Sequence, residues 1–237
     1  MKPVKVLGSG LSGMTAAICL ATAGVPVEVF ERNSDCGQRF LGDIQGIENW
    51  SREKDALKDL EEFGLSVNFD CDPLRELTVS NGQEQNELRF NKPACYLVKR
   101  GSMEGSLDQG LKAQALKAGV KLRFRTALPE EQADIIATGP RQGCVFALDK
   151  GIIFTTSMKD TAIGLVNDRA AFKGYAYLLV TGGYGCLCTV LFDNFSTAAS
   201  CFDETKRMVS RMVKLEIKNP RPVGGIGSFS LDRKSVV

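Results

Sequence analysis

VKVLGSGLSGMTAAICLATAG, residues 4–24, sets three glycines, Gly8, Gly10 and Gly13, at the spacing G-x-G-x-x-G. VKVLG is a short β-branched strand, and Leu11 to Ala23 are good helix formers closed by Gly24 as a C-cap. The glycines therefore fall in a turn between a strand and a helix. Gly8 lets the chain turn tightly, Gly10 lets the backbone approach a pyrophosphate, and Gly13 lets the helix pack close to the strand. The helix N-terminus, beginning with Leu11 and Ser12, presents free N–H groups and a positive dipole end to phosphate. VPVEVF follows as a second strand and ends at Glu31. An acidic residue about 20 residues beyond the glycines suits a ribose 2′-hydroxyl, whose hydrogen bonds a carboxylate accepts while repelling a 2′-phosphate.

Other readings of the opening stretch fare worse. Lys2 and Lys5 before an apolar run suggest a signal peptide, but Gly8, Ser9, Gly10, Ser12 and Gly13 break up its apolar centre. No run of about 18 apolar residues escapes glycine interruption, so no transmembrane helix is expected. AYLLVTGGYGCLCTVLF, residues 176–192, reads as two strands around a Gly182-Gly183 turn.

Composition narrows the chemistry. The chain has 237 residues, 43% hydrophobic and 24% charged, with 30 basic and 28 acidic residues mixed along it for a net charge of +2. No clustered basic face marks a nucleic-acid partner. The absence of histidine removes His triads, His metal sites and His acid–base relays together. Eight cysteines (Cys19, Cys36, Cys71, Cys95, Cys144, Cys186, Cys188, Cys201) form no C-x-x-C pair, so no metal site is expected. They read as reduced, buried small hydrophobes of a cytoplasmic chain.

Beyond Glu31 the strand–helix alternation of a plain nicotinamide dehydrogenase does not continue. DCGQRFLGDIQG reads as a loop, followed by a helix from about Glu48 to Phe63, a strand at FGLSVNF, and a hairpin turning at Asn81-Gly82. ACYLVKRG is a strand and GSLDQGLKAQALKAG an amphipathic helix with Leu107, Leu111, Ala115 and Ala118 inward. VKLRFRT is a further strand, and ADIIATG a buried one ending at Thr138-Gly139. A last helix, about Thr197 to Lys218, turns Met208, Val209 and Met212 inward and Lys206, Arg207, Arg211 and Lys214 outward; a solvated face is the default reading, a membrane-surface contact the minor one.

The fingerprint Gly8-x-Gly10-x-x-Gly13-x-x-x-Ala17 with Glu31, and the downstream Ala137-Thr138-Gly139, resemble the FAD-dependent oxidoreductases of the glutathione-reductase-like fold. The resemblance is greatest to their geranylgeranyl-reductase-like branch, related to flavoprotein aromatic hydroxylases. Cys36-Gly37-Gln38-Arg39-Phe40, Tyr96-Leu97-Val98-Lys99-Arg100 and, more loosely, Gly174-Tyr175-Ala176-Tyr177-Leu178-Leu179-Val180 resemble further segments of that branch, the last a strand lining the substrate cavity. The resemblance implies an α/β fold: a Rossmann-like FAD-binding domain with a parallel sheet and a small β-layer, plus an antiparallel substrate sheet. It implies domains at 1–143, with an insertion at about 65–95 belonging to the substrate side, and at 144–237.

The resemblance also implies FAD as cofactor, an apolar, isoprenoid-type substrate, and NAD(P)H or ferredoxin as electron donor. Thr138 and Gly139 are expected to bring backbone close to the dinucleotide. Arg32 either covers the adenine face by cation–π stacking or is a solvated surface residue. Arg39 and Arg100 either direct guanidinium groups to the cofactor or form surface ion pairs, Glu31 or Asp35 being the acids nearest Arg39. Cys36 reads as a small loop residue. Cys186 and Cys188 point to one face of a strand as adjacent buried hydrophobes. A second Gly-Asp or Gly-Glu motif with a long helix, implied by the resemblance, is not found: GGIGSF has no acidic residue and no helix after it, and Gly42-Asp43 is expected on the wrong side of the fold. The fold is accordingly expected to be incomplete at its C-terminal end, with a partner chain as one source of the remainder. The alternatives are a fragment that binds dinucleotide without turnover, and a simple NAD-dependent dehydrogenase.

Overall fold

A computed structural model describes residues 1–139 and 145–228. Cys144 and the end of the chain beyond Ser228 lie outside the described residues. The chain divides into two compact units, Met1–Pro73 with Pro93–Gly139, and Leu74–Lys92 with Pro140–Val237.

The first unit opens with β1 (Val4–Leu7), α1 (Leu11–Thr22) and β2 (Val27–Phe30). β1 and β2 pair in parallel, Val4 with Val27 through Leu7 with Phe30, as a helical crossover requires. β3 (Leu41–Glu48) follows where a loop is expected. It forms because β7 (Cys95–Gly101) lies antiparallel to it, and Gly46 lets the strands close over the Cys95 side chain. α2 (Ala56–Glu62) is shorter than expected: Asp55 caps it by accepting from the Leu57 amide, so residues 48–54 stay outside the helix.

FGLSVNF joins no ladder. The side chain of Gln114 takes both backbone groups of Ser66 instead, accepting from its amide at 2.8 Å and donating to its carbonyl at 2.9 Å. β4 (Asp72–Leu74) completes a three-stranded sheet in the order β3-β7-β4. The first unit ends with α3 (Leu107–Lys117), β8 (Lys121–Arg123) and β9 (Ile135–Ile136), which closes a parallel sheet in the order β8-β2-β1-β9. β9 is only two residues long and is an edge, so Ile136 is half exposed rather than buried. Val6, Val27 and Val29 of the sheet share one core with Met14, Ala17 and Ile18 of α1, Leu107, Leu111 and Ala115 of α3, and Val98 of β7.

The second unit is a seven-stranded sheet built from β5 (Glu76–Ser80), β6 (Gln85–Arg89), β10 (Ala147–Thr155), β11 (Thr161–Leu165), β12 (Tyr175–Thr181), β13 (Tyr184–Leu191) and β14 (Lys218–Gly227). Its order is β14-β10-β13-β12-β11-β5-β6. The Asn81-Gly82 turn joins β5 to β6, and Gly182-Gly183 joins β12 to β13. The sheet is antiparallel except where β11 runs parallel to β5. α4 (Ala198–Met212) covers one face: Phe202, Met208 and Val209 pack on Phe154, Ile163, Leu178 and Leu187. α4 stops six residues before Lys218 because the segment beyond it pairs as β14, whose Pro220 and Pro222 are tolerated on an edge strand. No described helix is long and apolar enough to cross a membrane.

Candidate functional site

The three glycines of the turn after β1 differ in what a side chain would meet. Gly8 sits at φ +103°, and a Cβ there would stand 2.8 Å from the Ala137 carbonyl carbon and overlap its oxygen. A Cβ on Gly13 would overlap the Gly8 carbonyl oxygen. Both glycines are demanded by the fold. Gly10 has ordinary extended backbone, φ −71° and ψ 178°, and a Cβ there would meet nothing within 4 Å. Nothing among the described residues requires that residue to be glycine.

Gly10 is also the N-cap of α1, and it supplies no capping side chain. The first turn holds no acidic residue, and the first helical bond runs from the Met14 amide to the Gly10 carbonyl. The leading amides, Leu11, Ser12 and Gly13, are thus available to an anion. Leu11 leans on the core while Ser12 is exposed. The donor set and the space above Gly10 fit a pyrophosphate.

Glu31 stands one residue past β2. Its Oε2 accepts from the Ser9 amide (3.0 Å) and the Ser9 hydroxyl (2.9 Å), and its Oε1 accepts from the Asn33 amide (2.9 Å). A carboxylate offers roughly four acceptor positions, so one remains, on Oε1. That position fits one ribose hydroxyl. Ser9, 2% exposed, and Asn33 escape notice in the sequence; the only signal is a hydroxyl residue between the first two glycines.

Cys36 lies under the turn with no exposed surface. Burial pushes its thiol up to about 11, with a bond to the Ser9 hydroxyl working the other way, so the group is neutral at physiological pH. Asp35 beside it is worked on by burial, which disfavours its charge. The Lys112 ammonium and the Cys36 and Gln109 donors outweigh that and hold the carboxyl below its ordinary value. Asp35 is therefore the partner of Lys112 at 2.6 Å.

The arginines separate. Arg32 is exposed at the end of β2. Arg39 is exposed, its guanidinium 5.3 Å from the Phe40 ring and beside Gly139, where a Cβ would lie 3.7 Å from Nη1. Thr138 and Gly139 are exposed just past β9, next to the turn that Ala137 braces through its amide to the Leu7 carbonyl. The structure thus brings Arg39 and Gly139 together. Arg100 is buried, and its guanidinium is committed: Nε and Nη2 donate to Asp108 (2.9 and 3.2 Å), Nη1 to Gln45 (2.6 Å), and Phe40 stacks on it at 4.3 Å. Its ion pair is internal, not a surface pair.

In the second unit, the sheet face opposite α4 carries Tyr175, Tyr177 and Leu179 from β12, Ala162 and Gly164 from β11, and Cys186 and Cys188 from β13. Tyr175 and Tyr177 stack with ring centroids 6.3 Å apart. The two sulfurs touch at 3.6 Å as free thiols. The Cys186 thiol and burial together push the Cys188 thiol well up, so it too stays protonated. Gly164, paired with Tyr177, has nothing within 4 Å of its Cβ position.

Residues 6–44 match the NAD(P)-binding Rossmann-like domain family. The chain is 32% identical over 125 residues to the zeta-carotene desaturase of Synechocystis sp., an alignment covering 52% of this chain and 23% of that enzyme. Among solved structures, a geranylgeranyl bacteriochlorophyll reductase-like protein of Thermoplasma acidophilum matches with a TM-score of 0.66 at 14% identity, covering 94% of this chain and 65% of that one. Aklavinone-11 hydroxylase, solved with FAD and aklavinone, matches with a TM-score of 0.59 at 16% identity, covering 94% of this chain and 53% of that one. The chain thus spans about a quarter of the length of the curated relative and about two thirds or less of these solved structures. Identities this low speak for the fold, and the fold is the one the sequence resemblance implies.

Proposed function

We propose that this chain binds FAD at the carboxyl ends of β1, β2 and β9 and serves an oxidoreductase acting on an apolar, isoprenoid-type small molecule. The observation that carries the reading is Gly10: a glycine that no described residue requires, at the uncapped start of α1. The amides of Leu11, Ser12 and Gly13 would hold the pyrophosphate, and the remaining acceptor position of Glu31 one ribose hydroxyl. Arg32 would lie at the adenine, and Arg39 with the backbone of Thr138 and Gly139 would line the phosphate side. Arg100 acts at one remove, holding Phe40 and hence the segment that carries Arg39. Bound flavin would supply the hydride or electron transfer, while the protein orients and shields the reacting groups.

FAD rather than NAD is favoured by the FAD-bound hydroxylase among the structures of this fold. An apolar substrate is favoured by the tyrosine, leucine and thiol face of the second unit, with Gly164 leaving room beside Tyr177. The isoprenoid assignment rests on the names of the desaturase and the reductase-like protein alone. NAD(P)H or ferredoxin would supply electrons, and any partner chain would be recognised by its effect on flavin affinity. The test is titration of the purified chain with FAD, followed by flavin absorbance and fluorescence. Saturable flavin binding is expected; a colourless protein that binds NAD and not FAD turns the reading to a nicotinamide dehydrogenase. Bound flavin that neither donor reduces turns it to dinucleotide binding without turnover.

A further inference from the structure

Four described residues other than glycine sit at positive φ: Arg125, Lys173, Asn194 and Asn219. Asparagine tolerates the left-handed region, and Lys173 places its ammonium on Asp193 at 2.7 Å. Arg125, at φ 52°, has neither excuse. It is exposed, and among the described residues its guanidinium has no ion pair or hydrogen bond. For most residues this conformation costs about 1–2 kcal/mol, which glycine would avoid.

Its position is fixed by backbone hydrogen bonds just past the ends of β2 and β8. The Glu31 amide donates to the Arg123 carbonyl at 2.9 Å, and the Thr126 amide donates to the Glu31 carbonyl at 2.9 Å. A regular parallel ladder would bring residue 125, not 126, to that carbonyl. Phe124 and Arg125 therefore form a turn just past β8, and the Arg125 amide goes to the Asn33 carbonyl at 2.8 Å. Arg125 lies just past the carboxyl end of β8, the strand paired with β2, and Arg32 lies just past the end of β2. Arg32 is likewise exposed and without an ion pair among the described residues.

We infer that Arg125 is a second adenine-contacting residue, paired with Arg32 at the adenosine end of the dinucleotide site. The inference rests on the dinucleotide reading above. A planar guanidinium can lie on the face of the base, a cation–π contact at an exposed site. The residue choice at 125 is the converse of that at Gly10: a side chain is kept where the backbone favours none.

The test is calorimetric titration of the full chain with ADP and with FAD, for the wild type and for Arg125→Gly and Arg125→Asn. Both replacements suit a left-handed backbone, so neither should lower the melting temperature. Each should weaken ADP and FAD roughly 2- to 5-fold, the range of an exposed cation–π contact. Unchanged ADP affinity in both variants, with the wild type binding normally, overturns the inference and leaves the dinucleotide reading standing. A wild type that binds neither ADP nor FAD removes the dinucleotide reading and the inference together.

Discussion

The turn after β1 and the outer face of the seven-stranded sheet are both candidate ligand surfaces, built from opposite materials. At the turn the working groups are main-chain amides, and residue identity matters mostly through what is left out. On the sheet face the working groups are side chains: Tyr175, Tyr177, Leu179 and a touching pair of thiols. Main-chain chemistry constrains sequence tightly, because only glycine permits Gly8 and Gly13. Side-chain surfaces accept many substitutions of similar size and polarity. A ligand wall of main-chain amides can therefore be specific in sequence while a wall of side chains stays variable.

The sharpest division lies inside the turn itself. Gly8→Ala and Gly13→Ala should cost several kcal/mol and abolish a cooperative melting transition, since each new methyl overlaps a carbonyl oxygen. Gly10→Ala should melt with the wild type yet lose at least about tenfold in FAD affinity, because a methyl would stand where phosphate approaches the amides. If Gly10→Ala binds as well as wild type, the distinction between structural and ligand-serving glycines collapses.

Next in size is Asp108→Ala, which strands the buried guanidinium of Arg100. It should lower stability by about 3–5 kcal/mol in urea titration, and a smaller loss would mean that Gln45 and Phe40 suffice to hold Arg100. Glu31→Ala should weaken dinucleotide binding by about 1–3 kcal/mol by calorimetry, and unchanged affinity would remove its ribose role.

A weaker effect appears with alkali. The Cys36 thiol is raised from 9.0 to about 11 in the folded chain, so its contribution is fully present below pH 9.0 and lost as pH rises toward 11. Cys71, also raised to about 11 by burial, adds to the same loss. Denaturation midpoints should fall over that window, and Cys36→Ala should shallow the fall; an unchanged slope would mean the thiol ionises freely. Smallest of all, Gly164→Ala should leave the melting temperature within about a degree or raise it, the gain in a strand being at most about 1 kcal/mol.

Legibility in the sequence follows the same division. The β1–α1–β2 unit, the Asn81-Gly82 hairpin, α3 and the β12–β13 pair announce themselves because each is set by local turn chemistry and periodicity. β3 does not, since Gly42, Asp43 and Gly46 make it look like loop and only its pairing with β7 creates it. Residues 63–69 look like a strand, but one distant side chain, Gln114, takes the backbone groups a neighbouring strand would have taken. β14 hides behind two prolines that only an edge position permits. At the site, the glycines and Glu31 are visible as a spaced pattern. Ser9 and Asn33 are not, because their role depends on which way a carboxylate folds back, and the commitment of Arg100 to Asp108 depends on packing between β7 and α3.

The grip of Glu31 on Ser9 and Asn33 has a kinetic side. With three donors already satisfied, the carboxylate fastens the end of β2 to the glycine turn as part of folding, so the entropic cost of ordering that turn is met before any nucleotide arrives. Docking should then resemble entry into a rigid mould, with an association rate set by encounter and orientation rather than by loop closure. Cutting the tether at Ser9 would slow arrival more than it hastens departure.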